Sequence, residues 1–282
     1  MRTIKQIHAA IAAPIADLVT YRAIPTHTVQ YIDPFLFLNH HGPQHFPARN
    51  NGLPFGPHPH RGMETVTFII DGDIVHQDSS GYESVIEAGG VQWMTAGKGL
   101  IHAETSSAQF KENGGQLEIL QLWLNLPAKL KMTAPLYKGL QRDEIHHEQL
   151  DEGRVTVDLI AGDWNGQAGA FHAHVQLNVF HFDAGGKVSL HAPKEHNVFF
   201  YVIRGELLVN HQEVKALHLV EFNNDGETIH VHAEAPSILL YGQAKPFNEP
   251  IVAHGPFVMN TEEEIAQAYE DYRRGDFGNW DF

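Results

Sequence analysis

Two short alternating pairs in this chain carry side chains that can do chemistry. His58 and His60 stand one residue apart in PHPH (57–60), and His102 and Glu104 stand one residue apart in LIHAET (100–105). In an extended strand, positions i and i+2 project to one face, so each pair offers two donors side by side. Two neighbouring strands carrying such pairs can close three imidazoles and one carboxylate round a single divalent ion. That donor set leaves the ion with a net positive charge and, in octahedral geometry, with open positions. Softness and geometry favour Fe(II), with Mn, Co, Ni and Cu as alternatives. Zn is the poorer match for reactivity, because four protein ligands already complete its preferred shell.

Glu64 is a competing carboxylate on the strand that follows the histidine pair. Either Glu64 or Glu104 can be the fourth ligand, and the other can serve as a base. The i, i+2 relation to His102 favours Glu104 as ligand, which leaves Glu64 beside the site or paired with Arg61 or Lys98.

Strands must position these side chains. Runs of period two dominate: ETVTFII (64–70), QLEILQLWLNL (116–126), RVTVDLIAG (154–162), HNVFFYVIRGELLVN (196–210) and ALHLVEF (216–222). Each is short and bounded by Gly, Asn, Asp or Pro, the pattern of all-β sandwiches and barrels. If the phase runs on unbroken past Gly62, Glu64, Val66 and Phe68 share the face of His58 and His60. Phe55, Val66, Phe68, Trp93 and Met94 then offer an apolar wall for an aromatic molecule. One helix is expected, late in the chain. Thr261 is its N-cap, Glu264 completes a capping box, Arg273 and Arg274 meet the dipole of the last turn, and Gly275 closes it.

VTFIIDGDI (66–74) echoes FFYVIRGEL (199–207), which aligns Gly72 with Gly205 and His58 with His191. The same offset puts Pro193 and Asn197 opposite His60 and Glu64, and brings His230 and His232 near His102 and Glu104. Two β domains of similar build follow, residues 1–135 with the metal site and residues 136–282 with the terminal helix. The loss of ligand types argues that the second domain is metal-free, although a reduced site at His230 and His232 is an alternative. The pair His172 and His174 shares its face with Gln176 and Asn178 and reads as solvated.

Composition removes whole classes of function. There is no cysteine, which excludes disulfides, iron–sulfur clusters and thiol catalysis. A formal net charge of −15 gives no field to hold nucleic acid or an anionic membrane, while leaving room for a basic protein partner. Lys5, Gln6 and His8 interrupt any leader-like apolar stretch, and no apolar run approaches the ~20 residues of a membrane span. The expectation is a soluble, cytoplasmic protein.

These residues resemble the pirin family of the cupin superfamily. The likeness is carried by YIDPFLFLNHHGP (31–43), GPHPHRGMETVTFIIDG (56–72), VQWMTAGKGLIHAE (91–104), LQLWLNLPAKLKM (120–132) and EPIVAHGPFVMNT (249–261). The resemblance implies a bicupin: two double-stranded β-helix, jelly-roll-like barrels with a short C-terminal helix. It implies one metal, usually iron, in the first barrel on His58, His60, His102 and Glu104, and no working site in the second. Some members are similar to quercetin 2,3-dioxygenases, which open a flavonol with O2. Eukaryotic members are similar to transcription co-regulators that sense the oxidation state of iron. The expected activity is therefore flavonol dioxygenation, with a non-enzymatic, redox-sensitive protein-interaction role as the alternative.

Overall fold

The computed structural model describes residues 1–282. The all-β expectation holds, with α-helix confined to Ala108–Asn113 and Glu262–Arg274. The later helix is built as its sequence predicts. Thr261 accepts from Glu264 N, the Glu264 side chain returns to the cap, and Gly275 ends the helix at φ 89°.

Two compact units divide the chain, and each takes in segments from both sides of position 135. One comprises Met1–Ile11, Ala23–Pro34 and Asp143–Pro246; the other comprises Ala12–Arg22, Phe35–Arg142 and Phe247–Phe282. A single cut between 135 and 136 therefore does not describe the structure, and the terminal helix belongs to the unit that holds the histidine pairs. The cause is edge pairing. Ile4–Ala9 adds antiparallel to His218–Phe222, with Ile7 opposite Val220. At the other terminus Val258 N donates to the carbonyl of Arg61 at 3.0 Å. Alternation shows that a segment is a strand, but not which strand it joins.

The barrel of the unit with the histidine pairs is built from two sheets, and a two-stranded ribbon of Val252–His254 and Phe257–Met259 adds a third. The smaller runs Phe55–His60, Leu100–Thr105, Asp73–Asp78, Glu83–Glu87, and the larger includes Val91–Thr95, Met63–Asp71, Gly115–Asn125 and Phe35–Phe46 as successive neighbours. Gly62 is where the chain leaves one sheet for the other. Its φ is +77°, and a Cβ there would lie 2.0 Å from the Val258 carbonyl oxygen, so only glycine fits. The alternation is reset at this residue.

The other unit repeats the plan. Lys187–His191 pairs with Thr228–His232 in its smaller sheet, as Phe55–His60 pairs with Leu100–Thr105. Gly205 (φ +78°) turns its chain where Gly72 (φ +85°) turns the first. Its interior is a continuous apolar cluster that includes Phe180, Phe200, Phe222, Val198, Ile229, Val231 and Leu190. Because Ile229 and Val231 take the inward positions, His230 between them is exposed, and so is His191. That phase turns His230 away from the barrel interior.

Candidate metal centre

The strand register brings the two histidine pairs together. Phe55–His60 and Leu100–Thr105 are antiparallel neighbours with His58 directly opposite His102 and His60 opposite Leu100. A donor nitrogen from each of His58, His60 and His102 lies within 4.8 Å of the others, close enough to share one ion.

Hydrogen bonds outside the cluster fix two of the rings. His58 Nδ1 meets the carbonyl of Gly56 at 2.8 Å, and His60 Nδ1 meets that of Pro256 at 3.1 Å. A carbonyl only accepts, so each Nδ1 carries the proton and each Nε2 keeps its lone pair. His102 is fully buried, and neither of its ring nitrogens has a hydrogen-bond partner in the protein. A buried imidazole left this way is costly unless an ion takes it up. Burial first, and the neighbouring His58 second, pull the His60 pKa down to about 3, while the Pro256 carbonyl pulls the other way. Burial likewise holds His102 well below 6.5, with His58 the next cause. All these features suit neutral imidazole ligands.

Glu104 is 1 % exposed, and its carboxylate is gripped by two amides. Gln92 Nε2 donates to Oε1 and Gln121 Nε2 to Oε2, each at 2.5 Å, and Thr67 Oγ1 adds a longer bond of 3.3 Å to Oε1. The close cluster comprises the three imidazoles; Glu104 lies two residues after His102 on its strand, with a bulge between them.

Glu64 is not brought to the imidazoles. The reset at Gly62 puts Thr67 on the site side, so Glu64, of opposite parity, turns away and accepts from Thr95 Oγ1 at 2.6 Å. Nor does Arg61 serve Glu64. It donates to Asp271 Oδ2 at 2.7 Å and to the Lys98 carbonyl at 2.6 Å. The same reset divides the expected apolar wall. Val66 and Trp93, which pair across strands, and Phe68 lie on the face away from Thr67 and Gln92. Met94 keeps the parity of Gln92, and Phe55 packs against His41 at 5.2 Å between ring centres.

Other residues line the site without having been singled out by spacing. Trp123 stands edge-on to His60 at 5.2 Å between ring centres and stacks on Phe37 at 4.5 Å; both Trp123 and Phe37 are only half-buried. His76 is fully buried, stacks on Tyr137 at 3.9 Å, and donates from Nε2 to Asp78 Oδ2 at 2.9 Å. Tyr137 donates to Gln92 Oε1 at 3.1 Å, which orients the amide that holds Glu104. The available signal was a glutamine inside each of two apolar strands, VQWMT and EILQLWL, where a buried amide needs a partner.

A donor set of three converging imidazoles and one held carboxylate, at the meeting of two strands, is also what links this chain to known proteins. Residues 17–124 match the Pirin family model and residues 177–278 match the Pirin C-terminal cupin domain. A pirin-like protein of Caulobacter vibrioides is 38% identical over 261 residues, covering 91% of each chain. A pirin-like protein of Arabidopsis thaliana is 34% identical over 287 residues, covering 95% of this chain and 86% of the relative. The crystal structure of a quercetin 2,3-dioxygenase from Acinetobacter baumannii superposes with a TM-score of 0.91 at 35% identity, covering 99% of both chains. The two-barrel fold, the resemblance read from the motifs and these matches agree: the chain belongs to the pirin family.

Proposed function

We propose that the chain is a metal-dependent dioxygenase that opens the heterocyclic ring of flavonols such as quercetin. The reading is carried by one observation, the meeting of three imidazole nitrogens within 4.8 Å, those of His60 and His102 buried and that of His58 half-buried, beside a buried, amide-held carboxylate. A divalent ion there, Fe(II) first among the candidates, would supply Lewis acidity toward an enolic hydroxyl of the substrate. His58, His60 and His102 are its proposed ligands, and Glu104 the fourth.

The remaining roles belong to the chain. Glu104 takes the proton of the flavonol 3-hydroxyl; a positioned base of this kind is worth ~10²–10⁴ in rate. Gln92 and Gln121 hold its oxygens in place, so little reorganisation is needed as the proton moves. Trp123 and Phe37 offer half-exposed aromatic faces beside His60 against which a flat ring can stack. The overall change balances without a reductant: the flavonol takes up one O2 and gives up one CO, leaving an ester. Support also comes from the likeness to the Acinetobacter baumannii structure described as quercetin 2,3-dioxygenase.

The test is to load the protein anaerobically with Fe(II), add quercetin and admit air. Loss of the flavonol absorbance with matching CO release is expected. Absence of CO with each of Fe, Mn, Co, Ni and Cu, in protein shown to hold the metal, would overturn the proposal.

A further inference from the structure

Arg22 is a half-buried cation with no acidic partner. Its one hydrogen bond runs from Nε to Asn39 Oδ1 at 3.1 Å, and its guanidinium carbon lies 4.8 Å from the centre of the Phe37 ring. Nη1 and Nη2 have no partner in the protein. Burial alone lowers the Arg22 pKa, with no carboxylate near enough to raise it. Arg61, in the same unit, shows the usual arrangement: its guanidinium donates to the Asp271 carboxylate at 2.7 Å.

Strand register places Arg22 on the face of the metal centre. Gln121, whose Nε2 holds Glu104, pairs directly with Asn39, and Trp123 pairs with Phe37. Residues opposite one another in antiparallel strands project to one face, and so do Gln121 and Trp123, two positions apart. Trp123 Nε1 donates to Gln121 Oε1 at 3.3 Å, and its ring stands edge-on to His60 at 5.2 Å. Trp123 and Phe37 are stacked at 4.5 Å between ring centres. His60, Trp123, Phe37 and Arg22 therefore follow one another along a single face, each in contact with the next.

These contacts decide what the guanidinium can still do. Nε is taken by a buried amide, and one flat face lies over Phe37. The remaining edge, Nη1 with Nη2, is a planar fork of N–H donors that matches two neighbouring oxygens. A cation partly withdrawn from water with no acid beside it lowers the stability of the free protein. Electron-rich oxygens of a bound molecule offset that loss. We propose that Arg22 is a specificity residue, donating from Nη1 and Nη2 to the outer phenolic oxygens of a flat substrate whose reacting ring lies at the metal centre. The inference rests on the flavonol reading above and adds to it which flavonols are taken: those hydroxylated away from the reacting ring, in preference to the bare skeleton.

The probes are quercetin and 3-hydroxyflavone, which share the reacting ring and differ in the outer hydroxyls. Binding is followed anaerobically by tryptophan fluorescence, in Fe(II)-loaded full chain freed of unbound metal, so that no turnover intervenes. The parent should bind quercetin about 10–100-fold more tightly than 3-hydroxyflavone. Arg22→Gln should bring quercetin down to the affinity of 3-hydroxyflavone. Arg22→Lys, which keeps the charge but not the fork, should keep only part of the preference. Metal content should match the parent in both, and if Arg22→Gln does not fold, the Arg22→Lys titration decides. The proposal fails if the parent does not discriminate, if the variants keep the parent's preference, or if substitution weakens both ligands alike. Admitting air then tests the dioxygenase reading by itself. CO release without discrimination would overturn the role of Arg22 and leave the activity; discrimination without CO would do the reverse.

Discussion

Gln92 and Glu104 are joined inside the first barrel by a 2.5 Å hydrogen bond from the amide nitrogen to Oε1. With Gln121 on the other oxygen, the carboxylate is held at both ends. Replacing either amide by leucine should leave metal stoichiometry near that of the parent while lowering kcat by about 10–100-fold, the usual cost of losing such a support. Metal analysis beside steady-state turnover of quercetin separates this from loss of the ion.

The imidazoles should behave differently. His102→Ala removes a proposed ligand whose nitrogens have no partner in the protein, so metal affinity should fall by about a hundredfold or more. The fold should survive, because the barrel core does not depend on that ring; circular dichroism and metal titration check both halves of the expectation.

Trp123→Ala tests the aromatic platform. It opens space beside His60 without touching a ligand nitrogen, so KM for quercetin should rise about tenfold with metal content unchanged. An unaltered KM would place the substrate elsewhere.

Lys131 is 1 % exposed, and its ammonium donates to Asn125 Oδ1 and to the carbonyls of Gly62 and Val258. Burial lowers its pKa to about 8, but the three bonds tie the Gly62 turn to the C-terminal segment. Lys131→Met should cost about 2–4 kcal/mol in urea unfolding, because those oxygens lose their donor.

The Arg61 and Asp271 pair gives a pH signature. The hydrogen bond from Arg61, then that from Gln267, holds the Asp271 carboxyl below its ordinary value of 3.8. A depressed carboxyl pKa stabilises the fold in full above the unfolded value, and the contribution is lost as pH falls through the lower folded one. Asp271→Asn should therefore flatten the fall in urea midpoint below about pH 4 relative to the parent. Parallel profiles would refute the assignment.

Much of this architecture was legible in residue order. HxH and HxE spacing names the three imidazoles because strand period alone puts each pair on one face. The echo about Gly72 and Gly205 marks two barrels of one plan. What stayed hidden depended on phase and on distant pairing. Glu64, Val66 and Phe68 share the histidines' parity on paper, but Gly62 at positive φ resets it, and nothing local says that Val258 will press against that glycine. The partner of Arg61 is equally illegible, since Asp271 lies 210 residues away on a helix.

The carbonyl of Pro256, which sets the His60 tautomer, lies 196 residues downstream of the ring it meets. Synthesis therefore produces all four candidate ligands long before the group that orients one of them. A nascent chain stopped short of the C-terminal segment would carry three histidines and an acid without the lock on His60. Metal capture by the growing polypeptide should be weak and poorly discriminating until the last stretch has emerged and folded back.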